Sequence, residues 1–307
     1  MKDHIITLQD GRKLAYIEYG KTNGLPVMLF HGTPGSRIWA LADDMVAKRL
    51  GIRLISIDRP GYGLSDPKQN RTVLNWAEDV NELADQLKLQ TFSIIGVSGG
   101  GAYAAACAYK IPERLQSVQM VSSATPFENE EPPASMCREN RIAFFISKRL
   151  PLLLKWAYRA QKKQMEKNPE KYMQGMKKGN RHLCKWDQQF IQTDEDIKLT
   201  MIHMKEALRN SVDEAVTEPA LLAKHWGFNF QNISIPIHIW HGTADTLSSI
   251  EEIKKVASAT PHVTTHYIKD AGHFLPDDPH IWESILQTII HDADGTNKSS
   301  ISFHTSI

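Results

Sequence analysis

Ser98, Asp245 and His273 are the residues of this chain whose types and setting could do covalent chemistry. A serine hydroxyl is a weak nucleophile until a base takes its proton, and the base needs a third group to orient it. Ser98 lies in Ile94-Ile95-Gly96-Val97-Ser98-Gly99-Gly100-Gly101-Ala102-Tyr103, where an apolar run enters Gly-x-Ser-x-Gly and an Ala-rich stretch follows. This predicts a strand, a sharp turn carrying the serine, and a helix, the setting of a nucleophile elbow. Gly96 and Gly100 carry no Cβ and leave room for close packing in that turn. The first helical turn after Ser98 offers free backbone N–H groups to a developing negative charge. The pentapeptide pattern alone is common, so its partners decide the reading.

Two partners lie downstream, each just past a predicted strand. Asp245 ends the turn His241-Gly242-Thr243-Ala244-Asp245 after Ile237 to Trp240, and His273 sits in Asp270-Ala271-Gly272-His273-Phe274 after Thr265 to Ile268. In an open α/β sheet, sites form at that carboxyl edge. The order Ser98, Asp245, His273 is the one expected when the triad is built on a hydrolase sheet. Asp270, Asp277 and Asp278 flank His273 and compete as the orienting acid; Asp245 is preferred because it ends its own strand. Upstream, His31-Gly32-Thr33-Pro34-Gly35 follows the strand Val27 to Phe30 and can aim the Thr33 N–H at a carbonyl oxygen under attack. The Gly99 N–H is the second expected donor. Losing one such donor typically costs about 10²–10³ in rate.

Positioning these residues takes a sheet. Leu14 to Tyr19, Pro26 to Phe30, Ile52 to Ile57, Phe92 to Gly96, Leu115 to Val121, Pro236 to Trp240 and Val263 to Ile268 read as strands. Ile38 to Leu50, Val73 to Leu87, Ala102 to Lys110 and Pro279 to Ile290 read as helices. The alternation predicts an α/β fold, a mostly parallel sheet with helices on both faces. A polar, proline-rich stretch, Glu128-Asn129-Glu130-Glu131-Pro132-Pro133, opens a segment that reads as helical to about residue 226. The expected organisation is a core of residues 1–126 and 231–292, a helical insertion over 127–230, and a flexible tail over 293–307. Asp292 is expected at the start of the fraying stretch.

The chain has 307 residues, 41% of them hydrophobic, enough for a large core. A formal net charge of +1 argues against nucleic acid as a partner. Three cysteines, Cys107, Cys137 and Cys184, are no disulfide framework and fit a reducing compartment. With no apolar run of signal-peptide or membrane-spanning type, a cytoplasmic protein is expected.

The four motifs together resemble the α/β-hydrolase superfamily, over nearly the whole chain outside the tail. The turn Asp58-Arg59-Pro60-Gly61-Tyr62-Gly63-Leu64-Ser65-Asp66 looks like that family's loop after the fourth strand. His-Gly-Thr-Pro-Gly-Ser from His31, the triple glycine after Ser98, and Trp226-Gly227-Phe228 are similar to those of poorly characterised bacterial hydrolases. The resemblance implies that the insertion is a cap, or lid, over the site, and that His31 holds its loop by hydrogen bonds. A serine nucleophile disfavours haloalkane dehalogenases and epoxide hydrolases, which use aspartate there. The implied activity is hydrolysis of a carboxylic ester of a small or medium apolar substrate, with no metal or organic cofactor. Proline iminopeptidase-like aminopeptidase, carbon–carbon bond hydrolase and single-turnover ligand receptor are the alternatives.

Other patterns read as structural first. Gly61-Tyr62-Gly63 lacks phosphate-loop spacing. His182 with Cys184, and His262 with His266, lack a second pair at zinc spacing. Glu128, Glu130, Glu131 and Glu139 near the insertion's start read as a solvated acidic linker; an amine-capturing role is the alternative. From Lys148 to Arg181, eleven Lys or Arg stand against two Glu, a local charge of +9 interleaved with apolar and aromatic residues. That segment reads as lid helices with a solvated basic face, and its alternative is weak contact with an anionic membrane surface or acidic substrates. Oligomeric state is not legible.

Overall fold

Aliphatic and β-branched runs pair into one eight-stranded sheet in the computed structural model, which describes residues 2–40 and 44–295. The strands are β1 (Asp3–Thr7), β2 (Lys13–Gly20), β3 (Leu25–Phe30), β4 (Ile52–Ile57), β5 (Phe92–Val97), β6 (Leu115–Val121), β7 (Ile237–Gly242) and β8 (Val263–Ile268). Their order is β1-β2-β4-β3-β5-β6-β7-β8, with β1 and β2 antiparallel at one edge and the others parallel. The fold is therefore α/β with a mostly parallel sheet, as the alternation predicts. Strand β1 is the one the pattern does not announce. Its five residues, Asp3 to Thr7, are exposed or half-buried throughout, and it forms only by pairing with β2, Ile5 opposite Ala15.

Helices α1 (Asp44–Arg49), α2 (Trp76–Gln86) and α3 (Gly99–Lys110) belong to the first half; α10 (Ile250–Ala259) and α11 (Pro279–Ala293) close the chain. The two sheet faces bury separate cores. Trp76, Leu83, Tyr103 and Ile253, from α2, α3 and α10, pack on one face, and Ala47, Trp282, Ile285 and Ile289, from α1 and α11, on the other. The continuous helix expected over Ile38 to Leu50 is instead a 3-10 turn, Arg37–Ala40, and α1, with 41–43 outside the described residues. Its two ends are tied to different places. Buried Arg37 pairs with Asp58 at 2.8 Å and Glu206 at 2.6 Å, while Asp44 accepts the Gly20 N–H at 2.7 Å.

Between β6 and β7 the described residues form α4 (Arg138–Arg149), α5 (Pro151–Lys167), α6 (Pro169–Gly179), α7 (Lys185–Gln188), α8 (Asp194–Ala207) and α9 (Asp213–Ala223), with short 3-10 turns and no strand. Helices α4 and α5 pack on each other and on α9. Pro219 lies inside α9 and removes a backbone donor there. Ser147 of α4 mends the interruption: its hydroxyl donates to the Val216 carbonyl at 2.6 Å and accepts the Ala220 N–H at 3.2 Å. The chain returns to the core through Trp226, Phe228 and Phe230, whose rings cluster and reach Tyr109 of α3.

Asp292 does not begin a fraying tail. It lies in α11, accepts the Ser117 hydroxyl at 2.5 Å and sits 3.2 Å from His238. The rest of the expected tail, from residue 296, lies outside the described residues.

Candidate active site

Ser98 stands between the end of β5 and the start of α3 with φ 53° and ψ −120°, a conformation most side chains avoid. Its backbone is held on three sides. The Ser98 N–H donates to Val121 O at 2.9 Å, and its carbonyl accepts from Gly101 at 3.0 Å and Ala124 at 2.9 Å. The two flanking glycines make the turn feasible. A Cβ on Gly96 would stand 2.5 Å from Gly100 O and 2.7 Å from Ala104 Cβ, and one on Gly100 would collide with the Phe30 carbonyl oxygen.

Asp245 and His273 meet past the ends of β7 and β8, where the parallel register sets the two loops side by side. His273 Nδ1 is 2.8 Å from Asp245 Oδ2. The other carboxylate oxygen accepts the N–H groups of Leu247 at 2.8 Å and Ser248 at 2.9 Å, which fixes the carboxylate plane. Burial alone would lower the His273 pKa, but the Asp245 charge and hydrogen bond outweigh it and raise the pKa above the ordinary histidine value. Burial likewise pushes Asp245 up, and the His273 contact more than reverses it, leaving the carboxylate below its usual range. Of the competing acids, Asp278 instead caps α11 through the His280 and Ile281 N–H groups.

One cavity of about 760 Å³ brings the predicted residues together: Ser98, Gly99, Gly32, Thr33 and His273 all line it. Helices of the insertion supply the opposite wall, with Phe144, Tyr158, Met176, Leu199 and Met204. Ser98 and His273 share this space without a hydrogen bond between them; such contacts are often loose without substrate and tighten with it. Gly99 is the first residue of α3, so its N–H has no partner within the helix. Asp277 also lines the cavity. Desolvation, followed by the Asp187 charge, pushes its pKa up to about 7. His203, facing the same space beside Ser36, is lowered by burial to about 4 and stays neutral.

The loop carrying Thr33 is held from below by groups that the sequence pattern does not single out. His31 Nε2 accepts the Arg59 N–H at 3.1 Å, and its Nδ1 is 2.8 Å from Gly32 O, so His31 holds the loop as expected. Glu218, fully buried on α9, accepts hydrogen bonds from Thr33 Oγ1 (2.6 Å), Arg59 (2.6 Å), Tyr62 (2.8 Å), Tyr103 (2.6 Å) and Arg71 (2.9 Å). Arg71 also pairs with Glu214 at 2.8 Å, so two buried cations face two carboxylates. Burial raises the Glu218 pKa, yet the Arg59 and Arg71 charges overwhelm it and hold the group far below the carboxylate range. A second acid of the insertion, buried Asp187 of α7, accepts the Phe274 N–H at 2.9 Å beside His273. The one available signal for Glu218 is a carboxylate set between Ala215-Val216 and the apolar helix end Pro219–Ala223.

Residues 26–149 match the α/β hydrolase fold family. An esterase from Exiguobacterium antarcticum superposes with a TM-score of 0.67 at 18% identity, covering 94% of this chain and 98% of that one. This chain has the α/β-hydrolase fold. It is also 32% identical over 146 residues to a putative 2-succinyl-6-hydroxy-2,4-cyclohexadiene-1-carboxylate synthase of Bacillus subtilis (strain 168), 46% of this chain and 52% of that protein. It is 36% identical over 128 residues to a non-heme chloroperoxidase of Streptomyces lividans, 39% of this chain and 45% of that protein. The matches thus span about half the length of these curated relatives.

The remaining patterns fall outside the cavity. Glu128, Glu130, Glu131 and Glu139 are not among its lining residues, and Glu130 and Glu131 instead face Lys148 at 3.2 and 3.5 Å. Gly61 and Gly63 both take positive φ in the turn that buries Tyr62. His266 stacks on Trp240 and lies 3.1 Å from His238 rather than meeting His262. His182 Nδ1 is 3.0 Å from Gly179 O. Among the described residues no group of three or more His, Cys, Asp or Glu is arranged to hold a metal ion. No helix among them is long and apolar enough to cross a membrane.

Proposed function

We propose that this α/β-hydrolase is a serine hydrolase that cleaves a carboxylic ester of a small or medium apolar substrate. The observation that carries the reading is the convergence of Ser98 with the hydrogen-bonded His273–Asp245 pair on one largely apolar cavity. Residues 127–230 are read as its cap, and residues 1–126 with 231–292 as the core. A volume of about 760 Å³ suits a small-molecule ligand. The similar proteins are named as a synthase, a chloroperoxidase and an esterase, so the chemistry is argued from the site and not from names. Three unbridged cysteines agree with a cytoplasmic setting.

The proposed reaction runs in two halves. His273 Nε2 takes the Ser98 proton as Oγ adds to the ester carbonyl, and the Thr33 and Gly99 N–H groups receive the oxyanion. The tetrahedral species collapses, the C–O bond to the alcohol breaks, and His273 returns its proton to the leaving oxygen. Water, deprotonated by His273, then adds to the acyl-enzyme; the Ser98 ester bond breaks, His273 returns that proton to Ser98 Oγ, and the acid departs. Asp245 holds the imidazole with its proton on Nδ1 and stabilises the imidazolium.

A fluorophosphonate probe is expected to label the wild type and not Ser98→Ala; equal labelling of the two overturns the proposal. Sustained turnover of a nitrophenyl ester, beyond one equivalent per chain, is expected, and a single burst with retained product would favour a receptor. Proline nitroanilide should turn over far more slowly, since an amide is the harder substrate and none of the four glutamates near the insertion's start lines the cavity.

The pH profile has a defined sign. His273 must be neutral to act as base, and its pKa is raised. The acid limb of kcat/KM should therefore lie above the ordinary value of about 6.5, with activity falling as pH drops through it. Asp245→Asn removes the charge that raises it, so the limb should move down in pH while kcat falls by about 10⁴. Stopped ester assays across pH 5–9 check both, and an unmoved limb in Asp245→Asn would remove Asp245 from the proposed role.

A further inference from the structure

The insertion turns a second, unrelated feature outward. Helices α4 and α5 meet at Leu150, and the residues around this hairpin tip are apolar and uncovered: Leu152 is 81% exposed, Trp156 69%, Phe145 52% and Leu150 50%, with Leu153 and Ile142 close behind. Helical geometry explains why they stay out. At about 100° per residue, Trp156 lies opposite Met165, the buried residue of α5, and Phe145 lies on the far side of α4 from Ser147, which contacts α9. The inner faces are taken by the rest of the insertion, and the outer faces form an apolar patch.

Basic residues rim this patch. Arg141, Arg149, Arg159 and Lys163 are exposed on the same two helices. They belong to the stretch from Lys148 to Arg181 and its immediate neighbour; the stretch carries a charge of +9, while the whole chain has a net charge of only +1. The remainder therefore carries about −8, and the exposed basic side chains of α4 and α5 stand beside the apolar patch, Arg149 also lying 4.0 Å from Glu131. A second copy of the chain is a poor occupant, because a symmetric contact through the patch would set two basic rims against each other. A surface that accepts aromatic and leucine side chains at its boundary and presents negative charge around them is an anionic phospholipid bilayer.

We infer that the α4–α5 hairpin docks this protein on anionic lipid surfaces, with Leu152, Trp156 and Phe145 entering the headgroup boundary and Arg141, Arg159 and Lys163 meeting the phosphates. The contact is peripheral, and it delivers the cavity to a surface where apolar esters concentrate. Docking itself needs no hydrolytic activity, so its failure and that of the proposed ester hydrolysis are separately visible.

The test is flotation of the full chain with vesicles of phosphatidylcholine alone or of equal parts phosphatidylcholine and phosphatidylglycerol. The wild type should partition at least ten-fold more onto the anionic vesicles, and less as salt screens the charges. The triple variant Arg141→Gln, Arg159→Gln, Lys163→Gln should lose about a hundred-fold, from roughly five-fold per basic side chain. Leu152→Ser with Trp156→Ser should lose at least ten-fold and abolish the blue shift of tryptophan emission on binding, while hydrolysis of a soluble ester stays unchanged. Equal partitioning onto both vesicle types overturns the inference. So does no partitioning onto either, or a dimer by light scattering that the Leu152→Ser, Trp156→Ser variant dissolves.

Discussion

Ser98→Ala is expected to lower kcat of the ester reaction by about 10⁶ with little change in KM, and His273→Ala to do nearly the same. The informative measurement is the double variant. If the two side chains act as one unit, removing both costs no more than removing either, because the second loss acts on a machine already stopped. Rates that multiply would mean independent roles and would defeat the proposed division of labour. A residual rate about 10³–10⁴ above water should survive in all three, supplied by the Thr33 and Gly99 N–H groups and by binding in the cavity. Folding is a separate matter. Ser98 sits at φ 53°, so Ser98→Gly, which adopts that φ freely, should be more stable than the wild type by about 1 kcal/mol. An inactive protein that melts higher is the signature of a strained functional turn.

Glu218→Gln should be the most damaging single change to stability. The side chain is buried and accepts hydrogen bonds from five residues, two of them cations. Gln keeps the shape but takes away the charge, leaving Arg59 fully buried without its carboxylate. Breaking one partner of such a pair costs about 3–5 kcal/mol, which for a chain of this size corresponds to a fall in Tm on the order of 10 °C. The pH dependence gives a second check. The folded Glu218 pKa is depressed, so its contribution is present above the unfolded value of about 4.3 and is lost as pH falls toward the folded one. The gap in stability between wild type and Glu218→Gln should therefore narrow below about pH 4.3. A gap constant down to pH 3, measured by denaturant unfolding, would show that charge is not what the substitution removed.

The parts of this molecule that were legible in the sequence share a physical cause. Buried parallel strands are continuous apolar runs, as in Ile94-Ile95 before Ser98, and a turn with no room for Cβ atoms demands Gly96 and Gly100. The Asp245 and His273 loops follow such strands directly, so local pattern and tertiary position coincide. Strand β1 was not legible because an edge strand with exposed side chains has no apolar alternation of its own. Glu218 and Asp187 were missed for another reason. Each is recognisable only through its partners, Thr33 lying 185 positions from Glu218 and Phe274 lying 87 from Asp187. A carboxylate on a helix is ordinary until the fold buries it.

Those long-range contacts change what the insertion can do. Ser147 bridges the interruption in α9 two residues either side of Glu218, and Glu218 grips Thr33. A push on α4 from outside must therefore either break the Ser147 bridge or pull on the loop that carries Thr33. On the proposed reading of the insertion as a cap, it is a bolted roof rather than a hinged door, and substrate enters between its beams.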